Sequence, residues 1–372
     1  MKAKSSRSAI VAARWLVWSL TWPVTAASLQ DIPTVFMIVM ENTRWSAVKG
    51  STNCPYINDT LLPMASYCEH YHSPPNLHPT LPNYLWLVAG TNFGILDNNP
   101  PSINVRNTTN HLAYYLDAAG ISWRTYQVGL AGLSYPPTNI VWPYHTAFNP
   151  FIYFENILTN ADYGTAHMRP YEEFAGDLTN QTVARFNLIA PGLCYSMHDC
   201  GLLAGDDWLS REIPKIMNSA AYRNGGVIFL NWDEDDFTWP GEPIGMIVLS
   251  PLAKGGGYQS TNYYTHSATL RTIQNIFGIR PYLGDAANSP DMSELFNTNR
   301  FVFGTRFPPG PFTFTCTGLT VGQPYYLLAA TNLASSNWVT LSTNVAATVA
   351  VTFTDPDATN FSQRFYRLAT SP

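Results

Sequence analysis

Three short, unbroken apolar runs constrain this chain most: residues 33–40 (PTVFMIVM), 226–232 (GVIFLNW) and 245–250 (GMIVLS). Each is rich in β-formers and bounded by Gly, Pro or polar residues, and each is too short for an ordinary helix. A run that is apolar on both faces suits a strand covered on both sides, as in a parallel sheet clothed by helices. Helical patterns at 110–119, 208–217 and 265–277 are interspersed with these runs. The alternation predicts an α/β domain with a mostly parallel sheet, all three runs being strands of it. With 372 residues the chain has ample length for a large core, in one large domain or two.

Charge narrows the function classes. Charged residues make up 12% of the chain and the net charge is -5, so no basic stripe points to nucleic acid. Fourteen per cent aromatics, 28 prolines and 24 glycines describe a compact, loop-rich protein. At the N-terminus, Lys2, Lys4, Arg7 and Arg14 precede the apolar stretch 15–20, and the small residues Thr25-Ala26-Ala27-Ser28 follow. This pattern predicts a signal peptide over 1–27, an exported (secreted or periplasmic) protein, and no transmembrane anchor after cleavage. Export makes disulfides expected among the five cysteines. Cys194 and Cys200 are close enough to close a small loop, Cys54 and Cys68 could form a second, and Cys316 is left over; sequence does not fix the pairing.

The stretch 306–311 (RFPPGP) reads as a linker. Beyond it, alternation at 348–354 and 364–368 predicts a small all-β module over 312–372, following a catalytic domain over 28–305. The module contains two Asp and neither Glu nor His, so the chemistry is expected upstream of it.

The polar residues next to the apolar runs carry that chemistry. Glu41-Asn42 follows the first run and Asp233-Glu234-Asp235-Asp236 follows the second, the end of an open α/β sheet where ligands collect. Four consecutive acids after a buried strand are costly unless a cation neutralises them, and oxygen donors suit a hard or borderline metal. In His78-Pro79-Thr80-Leu81-Pro82-Asn83-Tyr84 a hydroxyl sits between two prolines, with an amide three residues on and a helical run at 85–88 behind it. Thr80 is then either a helix N-cap or a rigidly presented nucleophile. Met197-His198-Asp199-Cys200, the acids Asp206 and Asp207, and His266 ahead of a helix complete the set. Together these are the parts of a two-metal phosphoryl-transfer site.

In their order along the chain, Met40-Glu41-Asn42, Pro79–Tyr84, Met197–Asp199, Trp232–Asp236 and His266 make the chain resemble the exported bacterial phosphoesterases. That family includes acid phosphatases and phospholipase C-like enzymes, within the wider alkaline phosphatase superfamily. The resemblance covers roughly residues 31–300 and implies an alkaline-phosphatase-like α/β fold that hydrolyses phosphate monoesters or, alternatively, phospholipid head-group diesters. Thr80 would be the nucleophile, and Asn83 would donate to a phosphoryl oxygen, with His78 beside it on the substrate. Glu41, Asn42, Asp233 and Glu234 would hold one divalent metal (Zn, Ca, Mn or Fe), while His198, Asp199 and His266 would serve a second metal or the phosphate. The chain departs from the superfamily where Asp233-Glu234 stands in place of Asp-His, which leaves Asp206 as a rival ligand. A binding protein that kept the fold without the activity is the reading from a different class.

Overall fold

A computed structural model of the protein describes residues 29–236, 241–297, 302–305, 312–317, 322–331, 338–348, 350–361 and 364–369. The signal-like segment 1–27, the aromatic stretch 237–239 and the linker 306–311 lie outside these residues.

The first apolar run forms β1 (Val35–Met40), with every residue buried. The next strands are β2 (Ser66–Cys68), β3 (Tyr71–His72), β4 (Trp123–Gln127), β5 (Met168–Pro170) and β6 (Phe186–Ala190). They are followed by β7 (Val227–Trp232), β8 (Met246–Leu249), β9 (Tyr258–Ser260) and β10 (Tyr264–Thr265). Eight of them make one sheet in the order β5-β4-β6-β1-β7-β8-β2-β9. β1 lies at its centre, parallel to both β6 and β7, which explains why its sequence is apolar at every position.

One expectation is corrected here. The third apolar run, β8, is a buried strand, but it runs antiparallel to β7 and to β2. A parallel return needs a crossover, usually helical. The connection after β7 instead carries the acid run 233–236, and no helix lies among its described residues.

The helical patterns hold with shifted ends, as helices Leu112–Ala118, Gly201–Met217 and His266–Phe277. The segment behind Thr80 is the helix Thr80–Ala89, which buries Leu81, Leu85, Leu87 and Val88. It packs on the helix His266–Phe277, where Trp86 Nε1 donates to Ser267 Oγ at 2.7 Å. The Thr80 helix ends at Gly90, whose φ of +67° is left-handed and whose missing Cβ would lie 2.3 Å from the Leu283 carbonyl oxygen. Glycine is thus required twice over, by conformation and by contact.

Downstream strands are β11 (Val302–Thr305), β12 (Phe312–Thr317), β13 (Pro324–Ala330), β14 (Val339–Val345), β15 (Ala350–Asp355) and β16 (Arg364–Ala369). They form a four-stranded sheet, β11-β16-β13-β14, and a β12-β15 pair. Cys316, Tyr325, Leu327, Phe353 and Tyr366 gather in a separate apolar cluster. β11, which precedes the linker, pairs with β16.

Candidate active site

The register of the two central strands creates the site. Met40 is paired with Trp232, so Glu41 and Asp233 leave the sheet side by side. Asp233 N donates to Met40 O at 3.0 Å, and Asp233 Oδ1 accepts from Asn42 N (3.1 Å) and Glu234 N (2.7 Å). Asn42 has a φ of +38°, a left-handed conformation that Asn adopts more readily than most residues. The chain therefore turns sharply at the strand end, leaving Glu41, Asp233 and Glu234 with no solvent exposure.

The helix beginning at Thr80 abuts this turn. Its N-cap position is Pro79, with no side-chain cap. The Thr80 hydroxyl does not cap the helix; it donates to Glu41 Oε2 at 3.2 Å. Asn83 Nδ2, one turn on, donates to Leu77 O (2.9 Å) and to Glu234 Oε2 (3.0 Å). His78 Nδ1 stands 2.6 Å from the same Glu234 oxygen, and its Nε2 is 4.0 Å from Asp235 Oδ1. One turn, one helix start and two strand ends thus bring Thr80, Asn83, His78, Glu41, Asn42, Asp233 and Glu234 together.

Electrostatically the group is unbalanced. Burial first, then the charges of Asp233 and Glu234, push the Glu41 carboxyl well above the usual carboxylate range. Burial also raises Asp233 and Glu234, the latter helped by the charges of Asp233 and Asp235. Glu41 Oε1, Asn42 Oδ1, Asn83 Oδ1, Asp233 Oδ2 and Glu234 Oε1 are buried oxygens with no hydrogen-bond partner. Unsatisfied buried oxygens beside crowded carboxyls are costly, and a divalent cation would satisfy both deficits. The donors are all oxygens, the chemistry of a hard or borderline ion. Among the described residues no three His, Cys, Asp or Glu side chains are grouped so as to hold a metal ion. The fit therefore draws on mixed oxygens, including the Asn42 amide and the Thr80 hydroxyl.

The remaining residues expected from sequence stand apart from that group or support it from behind. His266 is fully buried; its Nε2 is 2.6 Å from the Asp233 carbonyl oxygen and its Nδ1 3.1 Å from the Tyr71 hydroxyl. Both ring nitrogens have protein partners, and burial pushes the imidazole down to about 4. His198 and Asp199 pair with each other at 2.7 Å, and Trp142 Nε1 donates to Asp199 at 3.0 Å. Among the described residues neither hydrogen-bonds to the carboxylate group. Their loop is closed by the Cys194–Cys200 disulfide and touches the site through Ser196 O, which accepts from Glu41 N at 2.9 Å. Asp206 spends its two oxygens on Tyr56 N and Ile57 N, at 2.8 and 2.9 Å. Cys54 and Cys68, a possible second pair on spacing, are separate buried thiols, each set in the apolar core.

Sequence reading missed three residues of this neighbourhood. Tyr71 holds His266, and Tyr84 packs beneath Glu41 with its hydroxyl 3.5 Å from Val39 O. His145 is lowered first by burial and then by the charge of His198, which places it beside that loop. The one available signal was its position in the long proline-rich connection that leaves the carboxyl end of β4.

A buried hydroxyl at a helix start thus faces buried carboxyls at the carboxyl ends of the central strands of an α/β sheet. The model for the Phosphoesterase family matches residues 64–280, more than half of the 372-residue chain, and the chain belongs to that family. It is a hydrolase of phosphoester bonds, built on a mostly parallel α/β sheet. The chain is similar to a phosphatidylinositol-3-phosphatase of Mycobacterium tuberculosis, 26% identical, over 73% of this chain and 86% of the relative. It is also similar to a probable acid phosphatase of Kluyveromyces lactis, 23% identical, over 70% of this chain and 61% of the relative. A hemolytic phospholipase C of Pseudomonas aeruginosa is 24% identical, over 64% of this chain and 42% of the relative, so the chain spans under half of that enzyme. Among solved structures, a Vibrio parahaemolyticus protein of the alkaline phosphatase superfamily aligns with a TM-score of 0.48 at 9% identity, covering 76% of this chain and 77% of that one.

Proposed function

We propose that the chain hydrolyses phosphate monoesters in the manner of an acid phosphatase, with Thr80 as nucleophile. The observation that carries this reading is the Thr80 hydroxyl, buried at a helix start and donating to Glu41 at 3.2 Å among unpartnered carboxyl oxygens. Thr80 Oγ1 attacks phosphorus, Glu41 takes its proton, and the P–O bond to the leaving group breaks, the departing oxygen taking up a proton from water to leave as the alcohol; water then cleaves the phosphothreonine, releasing inorganic phosphate and restoring the hydroxyl. A bound divalent cation at Glu41, Asn42, Asp233 and Glu234 would lower the hydroxyl's pKa and offset phosphoryl charge. Asn83 and His78, which both reach Glu234 Oε2, would orient the phosphoryl oxygens beside it. His266 positions Asp233 from behind. The helix N-terminus at Thr80 adds partial positive charge where the phosphate sits.

A phospholipase C-like diesterase is the second reading, and a specific observation favours it. A monoester carries an extra charge that calls for a fixed cation. Arg44, next to the candidate site, pairs with Asp236, Arg124 with Asp177 and Arg169 with Glu173, while Arg185 and Arg106 donate to backbone carbonyls, so each of these arginines already has a partner. Hydrolysis of mono- and bis-nitrophenyl phosphate decides between the two; a strong preference for the diester refutes the phosphatase reading. Incubation with chelator tests the cation: both activity and Tm are expected to fall and to recover on adding back a divalent ion. Activity and Tm indifferent to chelator would refute it. The Cys194–Cys200 disulfide supports action in an oxidising, extracytoplasmic compartment. Among the described residues no helix is long and apolar enough to cross a membrane.

A further inference from the structure

A cavity of about 290 Å³ lies between the Thr80 helix and the start of the His266 helix, and none of the chemistry above uses it. Trp86, Tyr263 and Tyr264 give it aromatic walls, and Asp285 supplies its charge. Among the described residues no Lys or Arg lines it. Its hydrogen bonds run in one direction: Trp86 Nε1 donates to Ser267 Oγ at 2.7 Å, and Ser267 Oγ donates to Asp285 Oδ2 at 2.7 Å. Two donors of the wall are therefore spent inside it. Asp285 Oδ1, which meets a long 3.4 Å contact from Asn288, remains an acceptor toward the cavity. Tyr263 is 57% exposed, yet its ring is held by stacking on His72 at 4.9 Å.

A cavity with aromatic faces, a carboxylate acceptor and no cation disfavours a second phosphate. It suits a group that is neutral, ring-shaped and rich in hydroxyl donors. We propose that this cavity is a subsite for a neutral polyhydroxylated ring, a sugar or cyclitol, stacked on the aromatic walls and donating hydroxyls to Asp285. Its link to catalysis rests on the phosphatase reading. Trp86 lies on the same helix as Thr80, about 9 Å along the axis at 1.5 Å per residue and on a neighbouring face; on the phosphatase reading the subsite holds the alcohol side of a long ester.

The test titrates the full-length protein with myo-inositol and with glucose, reading tryptophan fluorescence and heat, with cyclohexanol as a ring bearing a single hydroxyl. Saturable binding of a polyol is expected, weakened about tenfold or more by Asp285→Asn and by the surface substitution Tyr263→Ala. In both variants the ratio of kcat/KM for inositol phosphate to that for nitrophenyl phosphate should fall by a similar factor. Absence of saturation with either polyol overturns the assignment. So does polyol binding that survives both substitutions unchanged, and so does cyclohexanol binding as tightly as myo-inositol. Polyol binding by a chain inert toward every phosphate ester would uphold the cavity and remove the proposed function, so the two failures are distinguishable.

Discussion

Thr80→Val separates a nucleophile from a structural hydroxyl, because the change keeps the side chain's shape and removes the oxygen. The structure sets what is lost. The hydroxyl makes one bond, to Glu41 Oε2 at 3.2 Å, in a side chain that is 6% exposed. Removing the donor leaves a buried carboxyl oxygen unpartnered, a cost of about 1–3 kcal/mol in stability. If Thr80 only ties the helix to the strand end, that is the whole effect, and the folded fraction should turn over normally. If it is the nucleophile, kcat/KM should fall by roughly 10³ to 10⁶, or about 4–8 kcal/mol in the barrier at 1.36 kcal/mol per tenfold. The assay is a single turnover with ³²P-labelled ester, quenched in acid, with label retained on protein counted beside the steady-state rate. Wild type and Thr80→Ser should retain label and Thr80→Val none. A Thr80→Val enzyme that keeps a tenth of kcat/KM, or that still retains label, would refute the assignment.

Much of this arrangement was legible in the sequence, because it depends on local rules. β1 and β7 announced themselves as continuous apolar runs, and burial on both faces is what such runs require. Glu41 and Asp233 were readable as candidate site residues because they directly follow those strands, and the register that pairs Met40 with Trp232 sets them side by side. Thr80 was ambiguous between cap and nucleophile, since both uses put a hydroxyl at a helix start. What decided its orientation was the long-range position of Glu41, which no local pattern encodes. His266 shows the opposite case. A His ahead of a helix looked like a ligand from sequence, but whether its nitrogens face a metal or protein depends on Tyr71 and the Asp233 carbonyl, contributed from distant segments. The antiparallel β8 was missed because an apolar run carries no direction; direction comes from its connection, and that stretch was read for its acids.

Three further perturbations follow from particular contacts. Asn83→Leu leaves the Leu77 carbonyl without this donor and Glu234 Oε2 with His78 alone, so stability should drop by about 1–3 kcal/mol in urea unfolding and kcat/KM by about a hundredfold or more; an active, equally stable variant would remove Asn83 from the site. Replacing Cys194 and Cys200 together by Ser should cost about 2 kcal/mol by loop entropy, and activity should decline with it because Ser196 O supports Glu41 N. Unfolding with and without reductant checks this, and a wild type insensitive to reductant would contradict it. The last concerns pH. His111 is fully buried, stacks on Phe154 at 4.1 Å, accepts from Tyr114 N through Nδ1 and bonds Asn156 through Nε2. Burial lowers it from 6.5 to about 4. Between those values the unfolded chain binds a proton that the folded chain refuses. Its contribution is therefore complete above pH 6.5 and is lost as pH falls toward 4, with nothing further to lose below. The full span is about 3 kcal/mol. His167, also lowered to about 4, adds a slope in the same window. His111→Asn retains an acceptor for Tyr114 and an amide for Asn156 but cannot titrate, so its stability should lie below wild type at pH 7 and converge on it as pH falls to 4. Parallel curves for the two proteins would mean that His111 is not held neutral by the fold.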